Sequence, residues 1–268
     1  MRYGFIGLGN MGSAILNGML KSPSFSAADI TGYDVDPSML KEIADNTGIS
    51  VCDSCVETAD KSDVVILAVK PQQLTSVLEE IAGLNGLADK LFISIAAGFP
   101  ISRIVSLLRL PTANVIRAMP NLNAAVGESI TSLCQNILSP EDHMEVAKEI
   151  FSSVGEVVLL DEHLLGAFSA VAGASPAFTF MYMDALAMAG VQAGIPRKLA
   201  EKIAIQAVKG SAVNAAASGE HFDVLRDRVC SPAGTTIEGV MVLEVNGFIG
   251  TVMDAVKAVI TKDMILSD

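Results

Sequence analysis

The stretch that most limits what this chain can fold into lies at its start: YGFIGLGNMGSAI, residues 3–15. A short apolar run, Tyr3–Gly7, leads straight into Gly7-Leu8-Gly9-Asn10-Met11-Gly12, and a helical pattern of Ala14, Ile15, Gly18 and Met19 follows. Strand, G-x-G-x-x-G and helix in that order form a dinucleotide-binding turn. The first glycine permits the tight turn, the second lets a pyrophosphate approach the backbone, and the third lets helix pack on strand. The unpartnered N–H groups and positive dipole end of the helix then face the phosphates. Gly7, Gly9, Asn10, Met11 and Gly12 are therefore expected at a cofactor.

A second apolar run, Asp29–Tyr33, ends in Asp34. That is about 20 residues past the glycine loop, where an acidic side chain accepts hydrogen bonds from an adenosine ribose. Strand-like runs recur at 63–69, 91–96, 114–118 and 156–160, with helical patterns between them. Such alternation predicts a parallel sheet with right-handed crossovers. Beyond residue 160 the strand signals stop. Residues 163–190 are apolar and helix-compatible, with a break near 173–176. Further helices are predicted from Pro196 to Gly219, over 222–229, from Thr235 to Asn246-Gly247, and from Phe248 to about Ile265; proline opens and glycine closes them where those residues are favoured. The expected fold class is α/β: a Rossmann-type parallel-sheet domain over 1–160, then an all-helical domain over 161–268. So much small and apolar surface on the second part predicts a homodimer.

Composition removes other classes. The net charge is −12 and no Lys/Arg cluster occurs, which argues against a nucleic-acid partner and leaves any anionic ligand to local groups. Residues 164–183 carry no charged side chain and are long enough to span a bilayer. Their Ala, Gly and Ser content, a central Pro176 and the lack of flanking Lys/Arg clusters point instead to a helix buried in a protein interface, with no membrane partner. The N-terminus enters structure at once, so a cytoplasmic protein without a secretory leader is expected. Cys52 and Cys55 form a lone C-x-x-C; with no second pair and no nearby His it completes no zinc site, and reduced thiols without a metal are expected.

A second informative stretch is VCSPAGTTIEG, residues 229–239, rich in hydroxyls and glycine with Glu238 as its one charged residue. Ser231-Pro232 and Thr235-x-x-Glu238 are helix-start signatures, the latter a capping box. Gly234 permits close backbone approach. A helix that begins here aims unpartnered N–H groups outward, suited to a carboxylate, with the hydroxyls of Ser231, Thr235 and Thr236 available to a neighbouring polar atom.

Together, GFIGLGNMGSAI, AVKPQ (68–72), SIAAG (94–98), VIRAMPN (115–121), GASPAF (173–178) and VCSPAGTTIEG resemble the pyrroline-5-carboxylate reductases over essentially the full length. The resemblance implies NAD(P)H-dependent reduction of L-1-pyrroline-5-carboxylate to L-proline, the last step of proline biosynthesis. It implies that Ser231, Pro232, Ala233, Gly234, Thr235 and Thr236 hold the substrate, with the Thr236 hydroxyl on the ring nitrogen as the catalytic contact. It further implies that Ala68, Val69, Lys70, Pro71, Ala96, Ala97 and Asn121 join the glycine loop at the cofactor. Interleaved helical domains would form a homodimer, and five such dimers a decamer.

Three positions depart from the family pattern. Ala233 stands where a second glycine is usual, Leu122-Asn123 replaces the usual Thr-Pro, and Cys55 falls where an Asn near the adenosine ribose is common. Asp34 opposes a ribose phosphate, so Asp34 and Cys55 lean the cofactor expectation from NADPH toward NADH. The opening motif is shared with β-hydroxyacid dehydrogenases, but no Lys lies between Lys148 and Lys198 to serve as their acid/base. An idle paralogue that senses nucleotide or proline is the other alternative.

Overall fold

The computed structural model describes residues 1–136 and 140–267. The chain folds into two compact units, one of residues 1–173 with the chain end from Ile260, the other Ala174–Val259.

The first unit is built on an eight-stranded sheet of order β3-β2-β1-β4-β5-β6-β7-β8. Its strands are β1 (Tyr3–Ile6), β2 (Ile30–Tyr33), β3 (Ser50–Val51), β4 (Val64–Leu67), β5 (Leu91–Ser94), β6 (Asn114–Met119), β7 (Ser129–Gln135) and β8 (Gly155–Leu159). Intervening helices are α1 (Asn10–Lys21), α2 (Pro37–Thr47), α3 (Cys55–Lys61), α4 (Pro71–Ile81), α5 (Ile101–Leu107) and α6 (Glu141–Ser152). β1, β4 and β5 are buried along their whole length, as strands of a parallel sheet covered on both faces are. Phe5, Ile15, Leu16 and Ile66 fill one side; Ile6, Leu67, Leu78 and Phe92 fill the other.

β1 pairs in parallel with both β2 and β4. The strand order therefore reverses at β1, and the crevice that opens at a reversal, outside the carboxyl ends of the strands, is where such sheets bind ligands. Gly7, Asp34 and Ala68 are the residues that follow β1, β2 and β4.

The sheet is not wholly parallel, which corrects the expectation: β7 runs antiparallel to β6. The link from Pro120 to Glu128 contains only a 3₁₀ turn, Leu122–Val126. It is too short for the dozen or more residues that a parallel crossover needs. The strand pattern in the sequence does not include β7, SITSLCQ, whose hydroxyl residues break the apolar run. Its Ser129, Thr131 and Ser132 are nonetheless buried, with the Ser129 and Thr131 hydroxyls 3.3 Å apart.

The sheet ends at Leu159, next to the expected domain boundary at 160, whereas the compact unit continues to Gly173. Two contacts account for this. Leu165, in the short helix α7 (Leu165–Phe168), is buried in the same cluster as Ile6 and Phe92, and the Asn121 Nδ2 donates to the Ala172 carbonyl at 2.9 Å.

The second unit consists of α8 (Ser175–Gln192), α9 (Arg197–Ser218), α10 (Phe222–Val229), α11 (Thr235–Val245) and the first part of α12 (Phe248–Ser267). Pro196 and Gly219 flank α9 as the sequence predicts, Gly219 in the left-handed conformation of a C-terminal cap. α8 and α9 meet through small residues, Ala187, Ala200 and Ala204, with Ile195 beside them. This buried set is small, and Phe180, Met181, Met188, Leu199, Ile205, Met241, Val245 and Ile249 are all exposed in the protomer. The helical run Glu162–Gln192 has a window of mean hydropathy 1.5, apolar enough to cross a membrane by composition alone.

Candidate active site

The crevice at the β1 reversal is a cleft of about 360 Å³ lined by residues that include Gly7, Gly9, Asp34, Ala68, Val69 and Lys70. Gly7 has φ +97°, and an added Cβ would stand 2.7 Å from the Ala68 carbonyl carbon and the Val69 nitrogen. Only glycine fits this approach of the loop to β4. Gly12 closes the packing from the helix side, since a Cβ there would overlap the Gly7 carbonyl oxygen and stand 3.3 Å from the Ala68 Cβ. Gly9 differs: a built Cβ meets nothing within 4 Å, so its missing side chain leaves space open to the cleft rather than to the protein.

Gly9 is the N-cap of α1, and no side chain caps this end. The first N–H groups of α1, on Asn10, Met11 and Gly12, therefore have no intrahelical partner and form an anion-accepting end. Asp34 sets the loop's shape. Its Oδ2 accepts from the Leu8 N–H at 2.7 Å and its Oδ1 from the Asp36 N–H at 3.1 Å. A cradle that glycines keep open, backed by a helix start and flanked by a carboxylate after β2, fits a dinucleotide.

Other expected cofactor residues lie around the same end of the unit. Pro71 opens α4, and with Ala97, Gly98, Phe99, Arg103 and Asp263 it lines a second cavity of about 360 Å³. The Arg103 guanidinium lies 4.5 Å from the centre of the Phe99 ring. Ala96 is buried and lines neither cavity. Asn121 is buried as well, and its amide is already engaged: Nδ2 donates to Ala172 and Oδ1 accepts from the Asn123 N–H at 3.1 Å.

Sequence reasoning missed part of the cleft. Tyr33, Met39, Gln73, Val77 and Glu80 also line it. Cys55 lies there too, and its thiol donates to Glu80 Oε2 at 3.2 Å. Burial and the Glu80 carboxylate push this thiol up to about 11, so it stays protonated near neutrality. Nothing local marks Glu80, a solvent-side residue near the end of α4 brought to the cleft by packing alone. A further contact went unread: Glu162 Oε1 accepts from the Ile101 N–H at 2.8 Å and from buried Arg117 at 3.2 Å, tying the start of α5 to β6. All four cysteines are free thiols, and among the described residues no His/Cys/Asp/Glu group is arranged to hold a metal ion.

In the second unit, Ser231 to Gly234 form a tight turn closed by the Gly234 N–H on the Ser231 carbonyl at 3.0 Å. Ala233 occupies the left-handed region at φ +55°, a conformation that costs a residue with a Cβ about 1 kcal/mol. Gly234 lies against the Ser231 side chain, where a Cβ would collide with the hydroxyl. α11 starts at Thr235 with Gly234 as N-cap and no side-chain cap. The expected capping box is therefore absent: Thr235 is the first helical residue, one position too late to cap. The N–H groups of Thr235, Thr236 and Ile237 are left without intrahelical partners. Ser231, Pro232, Ala233, Thr235 and Thr236 are exposed, and none of the three hydroxyls is bonded to another described residue. The result is an open helix start, of the kind suited to an anion, beside three hydroxyls that no described residue engages.

Two family profiles match the chain. The family profile described as pyrroline-5-carboxylate reductase dimerisation matches residues 162–265, and one described as NADP oxidoreductase coenzyme F420-dependent matches residues 2–98. Pyrroline-5-carboxylate reductase of Escherichia coli K12 is 41% identical over 268 residues, 99% of this chain and 98% of that protein. The enzyme of the same name from Methanosarcina acetivorans is 39% identical over 95% of this chain and 94% of its own length. A solved Plasmodium falciparum pyrroline carboxylate reductase with NADP bound superposes with a TM-score of 0.90 at 30% identity, covering 100% of this chain and 98% of that one.

Proposed function

The chain belongs to the pyrroline-5-carboxylate reductase family, and from that premise we infer that it reduces L-1-pyrroline-5-carboxylate to L-proline with a nicotinamide dinucleotide, the last step of proline biosynthesis. The observation that carries this reading is 41% identity over 99% of the chain to a pyrroline-5-carboxylate reductase, in a chain that itself carries both the glycine loop and the open Ser231–Thr236 turn.

The division of labour follows from the residues. Gly7, Gly9 and the free amides of Asn10, Met11 and Gly12 would hold the pyrophosphate, and Asp34 would take the adenosine ribose. Ala68, Val69, Lys70, Pro71 and Ala97 would frame the rest of the cofactor, with buried Ala96 and Asn121 supporting them from within the unit. When bound, a reduced nicotinamide would supply the hydride, two electrons with a proton, that the imine carbon needs. The turn Ser231-Pro232-Ala233-Gly234 and the start of α11 receive the substrate carboxylate through backbone N–H groups, with the Ser231 and Thr235 hydroxyls beside them. The Thr236 hydroxyl oxygen would accept from the N–H of the protonated ring nitrogen, which becomes a secondary amine once the imine carbon is reduced. A cyclic imine is basic enough to react as its iminium, so this chemistry needs no dedicated acid. Positioning supplies the remaining advantage, about 7–11 kcal/mol when geometry is good.

For the cofactor, Asp34 and Cys55 support a preference for NADH. Lys70 is the sole cation among the residues lining the cleft, against the carboxylates of Asp34 and Glu80. A carboxylate several Å from a ribose phosphate, at an effective dielectric between protein and water, opposes it by about 1–2 kcal/mol. Asp34→Asn is accordingly expected to raise the NADPH to NADH ratio of kcat/KM about tenfold, measured with both nucleotides at fixed imine. An unchanged ratio removes Asp34 as the selector.

The exposed apolar surface of α8–α12 supports a homodimer, with a pentamer of dimers as the fuller assembly, over a membrane-spanning role. Free thiols support a cytoplasmic setting. The test of the whole reading is loss of reduced-nicotinamide absorbance when the protein meets pyrroline-5-carboxylate with NADH or with NADPH. Oxidation of either is the expected result. Oxidation of neither, with nucleotide binding intact, would leave a nucleotide sensor or a reductase of another imine.

A further inference from the structure

We propose that Glu80 is a second specificity-determining residue for the dinucleotide, acting with Asp34 to select an adenosine ribose that carries no phosphate. The proposal rests on the reading that the cleft at the β1 reversal binds the adenosine end of the cofactor.

Asp34 follows β2, whereas Glu80 comes from the last turns of α4, so two separate elements bring carboxylates to one cleft. Glu80 does not drift freely there, because the thiol of Cys55 donates to its Oε2 at 3.2 Å. Cys55 opens α3 and is buried, so its position is fixed by the core while its sulfur borders the cleft. Among the described residues no cation pairs with Glu80, so its charge is not neutralised within the protein. Tyr33, at the end of β2 in the same cleft, registers both charges: its phenol is pushed up first by burial and then by Cys55, Glu80 and Asp34. A dianionic ribose phosphate would meet two carboxylates here, whereas a ribose hydroxyl would meet two acceptors. Glu80 is exposed before the nucleotide arrives, so solvent weakens its share relative to that of half-buried Asp34.

The experiment measures dissociation constants of NADH and NADPH, without imine, for the wild type, Glu80→Gln, Glu80→Lys, Asp34→Asn and the Glu80→Gln/Asp34→Asn double variant. Glu80→Gln is expected to lower the ratio of the NADPH to the NADH constant by about two- to fivefold, the size of an exposed charge contact. Glu80→Lys should move it further in the same direction, and the Glu80→Gln shift should persist in the double variant. High salt should shrink all these shifts. If both constants move by one common factor, Glu80 merely supports the fold of the cleft and the proposal is overturned. If wild-type protein binds both nucleotides and the ratio ignores Glu80, the proposal fails while the cofactor reading stands. Failure of the wild type to bind either nucleotide overturns both.

Discussion

Thr236→Ala is expected to lower kcat by about 10²-fold, the loss of one well-placed hydrogen-bonding group at a reacting atom, with the imine KM changed far less. The structure favours this split because the Thr236 hydroxyl has no partner among the described residues and sits on the second residue of a helix whose first amides are equally free. Removing it breaks no native hydrogen bond, so the melting temperature should hold and the kinetic loss can be assigned to chemistry. Thr236→Ser restores the hydroxyl and should recover most of the turnover. Ser231→Ala should do the reverse, raising the imine KM while leaving kcat near wild type, if that hydroxyl serves the substrate carboxylate as proposed. Steady-state kinetics over a range of imine concentrations separate the two. Wild-type behaviour in both variants would mean that the substrate sits elsewhere.

Gly12→Ala is expected to abolish useful nucleotide binding, raising KM for NADH and NADPH alike by roughly 10²-fold, and to destabilise the first unit by about 1–3 kcal/mol through overpacking. The added methyl meets a backbone oxygen, that of Gly7, which cannot swing away as a side chain could. Gly9→Ala makes the informative contrast. Its Cβ meets no protein atom within 4 Å, so the melting temperature should stay near wild type while nucleotide affinity falls if the phosphates use that space as proposed. Thermal melts and nucleotide titrations on the two variants test this directly. Equal melting temperatures for both would contradict the close Gly7–Gly12 approach.

The nucleotide half of the fold was legible because its signals are local. A strand, a glycine turn and a helix start lie within a dozen residues, and glycine at Gly7 and Gly12 answers to sterics that a motif captures. Helix ends were legible where proline or glycine marks them, as at Pro196 and Gly219. β7 was not, since its buried Ser129 hydroxyl is engaged by the Asn121 N–H and lies 3.3 Å from that of Thr131, partners that no propensity reveals. The Thr235–Glu238 pattern misled by one residue: the turn through left-handed Ala233 makes Gly234 the cap. Glu80 and the Glu162–Arg117 contact were invisible because each joins residues far apart in sequence, and neither side chain belongs to a pattern of its own.

Asp34 carries a consequence for how cofactor choice can change over time. The carboxylate that would face a ribose also ties down Leu8 within the glycine loop and Asp36 at the start of the next helix. A lineage that drifts toward phosphorylated nucleotides cannot simply discard it, because the first substitution also loosens the phosphate cradle that both cofactors need. The accessible route runs through Asn, which keeps one acceptor, or through earlier changes that brace Leu8 by other means. A change at Asp34 would therefore act on the backbone of the glycine loop and on the choice of nucleotide at once.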